Sequence, residues 1–101
     1  MTNEGHGTRF RVLINGQNCW LNIEGKPQRT GFYTTRFVEA QDAEKAKAIA
    51  EEVIRVDSKL SDGLLNERND PPVICAEEVE EVSTLEPATG YAFYSEDEDI
   101  H

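Results

Sequence analysis

The sequence predicts an α+β domain in which an antiparallel sheet carries one long helix on one face, in the order β-β-β-α-β-β. Three observations support this. Apolar residues alternate over Phe10–Ile14 and run into Asn15-Gly16, the run Gly31–Glu39 is rich in aromatic and β-branched residues, and an apolar stripe at helical spacing follows Asp42.

Phe10, Val12 and Ile14 alternate with Arg9, Arg11 and Leu13, the period of a half-buried strand. Asn15-Gly16 tolerates the positive φ angles of a type I′ turn, so a hairpin is expected with its tip there. That register sets Arg11 opposite Trp20. Phe10, Val12, Cys19 and Leu21 share one face, and Arg9, Arg11, Trp20 and Asn22 the other. Glu24–Arg29 reads as a polar turn or short loop, and Gly31–Glu39 as a third strand. In that strand Tyr33 and Phe37 are expected toward the core, with Arg36 and Thr34 pointing outward.

Asp42 suits a helix N-cap, with Glu44 at the positive end of the dipole. Ala46, Ile49, Ala50, Val53, Val56 and Leu60 form the stripe, so Ile49 and Val53 are expected against the sheet. Gly63 ends the helix, and Pro71-Pro72 close the next loop. Val73–Ala76 begins a further strand. Ile74 and Ala76 are out of phase with Val79, which predicts a bulge or break near Glu77-Glu78, with a short helix as the rival reading. Tyr91–Tyr94 is a last short strand. The domain is expected over 8–95, with residues 1–7 and the acidic tail 96–101 disordered.

The passage Gly31-Phe32-Tyr33-Thr34-Thr35-Arg36-Phe37-Val38-Glu39-Ala40, followed by Asp42-Ala43-Glu44-Lys45-Ala46, resembles uncharacterised small bacterial proteins built on a domain of unknown function. The strand-then-helix pattern over 9–55 also resembles the partial ribonuclease-H-like βββα fold of HicB-type antitoxins. Neither likeness carries functional residues over to this chain.

The 101 residues suffice for one core, and 38% hydrophobic residues are enough to fold it. The polar start lacks a signal-peptide layout, and Val12-Leu13-Ile14 is far short of a membrane span. Cys19 and Cys75, without CxxC spacing, read as reduced, partly buried thiols, which points to a cytoplasmic protein.

The net charge of −10 is unevenly placed. Residues 1–68 hold ten acids and all ten bases, whereas 69–101 hold ten acids and no base. Such an end repels nucleic acid and attracts basic partners or cations, although a solvated strand face is the plain alternative.

Nothing in the pattern points to catalysis, so no catalytic residue is assigned and no enzyme activity is expected. The histidines, His6 and His101, stand near the chain ends, and no nucleophile elbow or phosphate-cradling glycine loop is present. No cofactor and no specific metal site are expected. Glu96-Asp97-Glu98-Asp99 with His101 lacks the glycine-turned loop of an EF-hand, and two lone cysteines make no zinc site.

Two candidate surfaces remain. Arg9, Arg11, Trp20 and Arg36 would share the outer sheet face and suit an anionic ligand, an acidic peptide or a stacked single strand of RNA. The acidic segment could instead fold back over these arginines and neutralise them. Glu77, Glu78, Glu80 and Glu81 would present an acidic segment to a basic protein partner, as in an antitoxin or immunity-type neutraliser. The expected function is thus a small acidic binding module for a protein partner. The alternative is an anionic-ligand or single-stranded nucleic-acid binder, and a third reading is an accessory subunit of an enzyme. No membrane association is expected, and an exposed sheet edge would permit a homodimer.

Overall fold

A computed structural model describes residues 7–96. The elements are β1 (Thr8–Ile23), β2 (Lys26–Ala40), α1 (Ala43–Arg55), α2 (Ser58–Ser61), β3 (Val73–Glu81) and β4 (Ala92–Ser95). The strands form one four-stranded antiparallel sheet in the order β3-β1-β2-β4. The chain is therefore α+β, with the order β-β-α-α-β-β in place of the expected β-β-β-α-β-β.

The difference lies at Asn15-Gly16, which does not turn. Ile14 pairs with Thr34, Asn15 with Tyr33 and Gly16 with Phe32, so the two expected strands are one. The reversal comes at Glu24-Gly25, whose φ values of 54° and 87° fit a two-residue type I′ turn, with Gly25 N donating to Asn22 Oδ1 at 2.8 Å. Gly16 is needed inside the strand because a Cβ there would sit 2.0 Å from the Phe32 ring. Asn15 is spent there as well, its buried amide donating to Phe32 O at 3.0 Å and to the Tyr94 hydroxyl at 2.9 Å.

A bulge follows. Gly16 opposes Phe32 and Cys19 opposes Thr30, so Gln17 and Asn18 together face Gly31, with Asn18 at φ 59°. The extra residue shifts the alternation, which puts Cys19 and Leu21 on the same face as Phe10, Val12 and Ile14. The face assignment expected from sequence therefore holds, although the pairing behind it does not: Arg11 lies opposite Phe37, and Trp20 opposite Arg29.

β3 carries a second bulge, where Leu13 pairs with Glu78 and Ile14 with Ala76, leaving Glu77 over. This is the expected bulge, and it brings Ile74, Ala76 and Val79 onto the helix side together. In β2 the phase is opposite to expectation. Phe32 is fully buried and Thr34 and Arg36 are buried, while Tyr33 is 41% exposed and Phe37 half-buried. Phe32 packs over Gly16, and that contact fixes which residues of β2 face inward.

Asp42 caps α1, accepting from Lys45 N at 2.9 Å. The long helix expected as far as Leu60 breaks instead at Val56-Asp57, because the Asp57 carboxylate caps α2 by accepting from Lys59 N at 3.0 Å. α1 meets the sheet through Ala46, Ala50 and Ile54, all fully buried, and α2 adds Leu60. Ile49 and Val53 are not in this line; they are 41% and 39% exposed. Two alanines let the helix backbone approach the sheet closely, and the larger side chains are left at its flank.

Candidate functional site

The four residues of the expected arginine and tryptophan face do not form one surface. Arg9 and Arg11 lie on the sheet face opposite the helix. Arg9 Nε donates to Glu39 Oε2 at 3.3 Å and its Nη1 to Ser83 O at 2.9 Å, while Arg11 Nη2 meets Glu80 Oε1 at 2.8 Å. Trp20 lies beyond the bulge. Arg36 pairs with Val12 and so points to the helix side, opposite to expectation.

There Arg36 is the centre of a clasp. Its Nη1 donates to Thr34 Oγ1 at 2.6 Å and to Thr89 O at 3.0 Å, and its Nη2 to the Tyr91 hydroxyl at 3.2 Å. The guanidinium lies 5.3 Å from the Tyr91 ring centre and 3.6 Å from Asp57 Oδ2. Tyr91 donates to Asp57 Oδ2 at 2.6 Å. Burial, reinforced by that bond, pushes the Tyr91 phenol up to about 12. The same bond, then the Lys59 N–H and the Arg36 charge, hold the Asp57 carboxyl below the ordinary range. Thr35 N donates to Thr89 Oγ1 at 2.9 Å, so the segment before β4 is fastened to β2. These groups satisfy one another, and the arrangement fastens the C-terminal segment to the sheet. Sequence reasoning missed it, although Asp57-Ser58 within the apolar stripe is a legible N-cap signal.

The acidic segment is the edge strand β3. Glu80 sits across from Arg11 and pairs with it; Glu78 lies opposite Leu13, and Glu81 opposite Phe10. Glu77, in the bulge, raises the Tyr33 phenol above its ordinary value, ahead of burial and Tyr94. Glu77, Glu78 and Glu81 have no ion-pair partner among the described residues. The expected fold-back over the arginines is thus partial and comes from strand pairing. Glu96 docks too, 3.5 Å from Arg29 Nε and accepting from Asn18 N at 3.1 Å, where a disordered residue was expected. The rest of the expected tail, and Met1–His6, lie outside the described residues.

Beside Trp20 is a recess of about 290 Å³ lined by Trp20, Pro27, Leu65, Asn66, Glu67 and Asp70. The loop from Leu65 to Asp70 continues the β3 side of β1. Leu65 N donates to Trp20 O at 2.7 Å, and Trp20 N donates to Asn66 Oδ1 at 2.9 Å. Asn66 Nδ2 reaches Asn18 O at 2.7 Å and Asp70 O at 2.8 Å, and Asn18 Nδ2 donates to Asp70 Oδ1 at 2.9 Å.

Neither cysteine forms a disulfide; burial, with Glu96 adding to it, pushes the Cys19 thiol up to about 11, and Cys75 is exposed. Among the described residues no group of three or more His, Cys, Asp or Glu side chains is placed to hold a metal ion. No helix among them is long and apolar enough to cross a membrane. Comparisons with family models, with curated proteins and with solved structures give no match to the chain.

Proposed function

We propose that this protein is a non-catalytic binding module whose acidic edge strand recognises a basic protein partner. The observation that supports this is the position of β3, nine residues at the sheet edge with Glu77, Glu78 and Glu81 exposed and without an ion-pair partner among the described residues. An edge strand offers main-chain donors and acceptors to an incoming extended segment, and the flanking side chains select its charge. Here they favour lysine and arginine. The same carboxylates disfavour pairing of β3 with β3 of a second copy, because like charges would then lie across the seam. A homodimer through this edge is the less suited arrangement, and a neutraliser of a basic protein is the better one.

The test is capture of partners by a tagged copy from lysate at low salt, beside a Glu77→Gln/Glu78→Gln/Glu81→Gln variant. The expected result is a basic protein retained by the parent, released by about 0.3 M salt and lost with the variant. Amide exchange of β3 should then slow in the purified complex. Equal retention by the variant, or unchanged exchange in β3, overturns the reading.

A further inference from the structure

We propose that the recess beside Trp20 is a pocket for a guanidinium group, carried either by an arginine side chain of a protein partner or by a free arginine-like molecule. Its walls and rim belong to different parts of the chain. Trp20 and Pro27 stand on adjacent strands of the β1–β2 hairpin, since Trp20 pairs with Arg29 and Asn22 with Pro27. That puts the indole and the proline ring at diagonal positions on one face. Leu65, Glu67 and Asp70 line the recess from the loop, the first an apolar residue and the other two acids.

The carboxylates are carried on backbone that is tied down. Asp70 N donates to Glu67 O at 2.9 Å, so the two acids are the first and last residues of a single turn. Asn66 anchors that turn to β1 from both ends of its amide, through Trp20 N and through Asn18 O, and also holds Asp70 O. The Asn66 amide donors are spent on the fold, which leaves recognition to the indole and the acids. Asp70 already accepts one bond from Asn18, while the Glu67 carboxylate makes no hydrogen bond or ion pair to another described residue.

The composition of the site selects the ligand. Two carboxylates exclude an anion. An aromatic wall beside a carboxylate pair suits a cation with a flat apolar face, and guanidinium stacks on indole while its edge donors meet carboxylate oxygens. A volume of about 290 Å³ is at the small end for ligand pockets and accommodates one side chain better than a nucleotide or an extended cofactor. The charges nearby do not reverse this. Arg29, opposite Trp20, is held by Glu96, and Lys26 and Arg68 adjoin lining residues in sequence without lining the recess. Pro71-Pro72 lead from the loop directly into β3, so a basic segment laid along that edge can set an arginine here. The partner as source rests on the function proposed above; the chemistry of the pocket does not.

Trp20 is the only tryptophan in the chain, so its fluorescence reports on the recess. The parent is titrated with N-acetylarginine amide, N-acetyllysine amide and N-acetylcitrulline amide, the last matching arginine in shape without its charge. The expected result is a saturable change with arginine, about tenfold weaker binding of citrulline, and intermediate or weaker binding of lysine. Glu67→Gln and Asp70→Asn should each weaken arginine several-fold without lowering the melting temperature, since asparagine keeps the acceptor for Asn18. No saturable response to arginine, an equal response to citrulline, tighter binding of lysine, or indifference to both substitutions overturns the guanidinium assignment. A second arm uses an arginine-containing strand-forming peptide. If it binds more tightly than the amide and loses that gain in the Glu77→Gln/Glu78→Gln/Glu81→Gln variant, the guanidinium comes from a partner. If peptide and amide bind alike, the pocket stands and its link to the edge strand is overturned.

Discussion

Gly16 and Gly31 each lie beneath an aromatic ring from the neighbouring strand, Phe32 over the first and Tyr94 over the second. A side chain at either position would collide with the ring. A glycine beside asparagine carries the same letters whether it turns a hairpin or receives an aromatic ring, so Asn15-Gly16 could not be told apart locally. Arg36 was misplaced for a related reason. A charged residue in a strand normally faces water, and only the non-local arrival of Tyr91 and Asp57 makes its burial tolerable. This clasp gives a pH prediction. Asp57 titrates below its ordinary value in the folded protein, so its contribution is present above the unfolded carboxylate value of 3.8 and is lost as pH falls through the lower folded value. Asp57→Asn should therefore cost about 1–3 kcal/mol at neutral pH, because Arg36 keeps its charge and loses its counterion. The gap in melting temperature between parent and variant should narrow as pH drops below 3.8. A gap that stays constant as pH falls through that range would mean the Asp57 charge contributes nothing.

The parity of β1 was legible in the sequence even though its path was not. Phe10, Val12 and Ile14 fall on one phase and Cys19 and Leu21 on the other. A switch of phase requires either a reversal of the chain or one extra residue. The protein uses the extra residue, and only the pairing of Gly16 with Phe32 decides between the two. In β3 the same kind of phase slip, Ala76 against Val79, left a bulge, a break or a short helix open, and the strand takes the bulge. In α1 the hydrophobic periodicity was right and its centre was not. Size favoured Ile49 and Val53, whereas close approach to the sheet needs Ala46 and Ala50, which rotates the buried line onto Ile54. Adjacent residues of the helix should therefore respond very differently. Val53→Asp should cost less than about 1 kcal/mol, since its side chain keeps contact with water. Ile54→Ala should cost about 2–5 kcal/mol, and Ile54→Asp should leave no cooperative transition. Urea titrations followed by circular dichroism measure all three. Comparable losses at 53 and 54 would mean that the helix is rotated about its axis from the orientation described.

Across the whole molecule the charge asymmetry read from the sequence becomes a division of labour within the acidic third. Glu80 and Glu96 are spent on Arg11 and Arg29, which ties β3 and the end of β4 to the central strands. Glu77, Glu78 and Glu81 remain on the β3 edge, Glu81 across from Phe10 and Glu78 across from Leu13, without ion-pair partners among the described residues. Attraction and repulsion therefore oppose each other, and their balance is measurable. Exposed pairs such as Arg11–Glu80 are worth about 0–1 kcal/mol each, and neighbouring like charges cost a few tenths of a kcal/mol per contact. With a net charge of −10 the long-range part is repulsive, so chloride salt should raise the melting temperature between low ionic strength and about 0.3 M, a range in which screening outweighs the effect of salt on apolar burial. The Glu77→Gln/Glu78→Gln/Glu81→Gln variant should start higher in low salt, by about 1 kcal/mol, and its melting temperature should respond more weakly to salt. A parent whose melting temperature falls with salt would mean the reverse, that Arg11–Glu80 and Arg29–Glu96 outweigh the repulsion. The carboxylates of β3 would then be engaged within the molecule and not held ready for a basic partner.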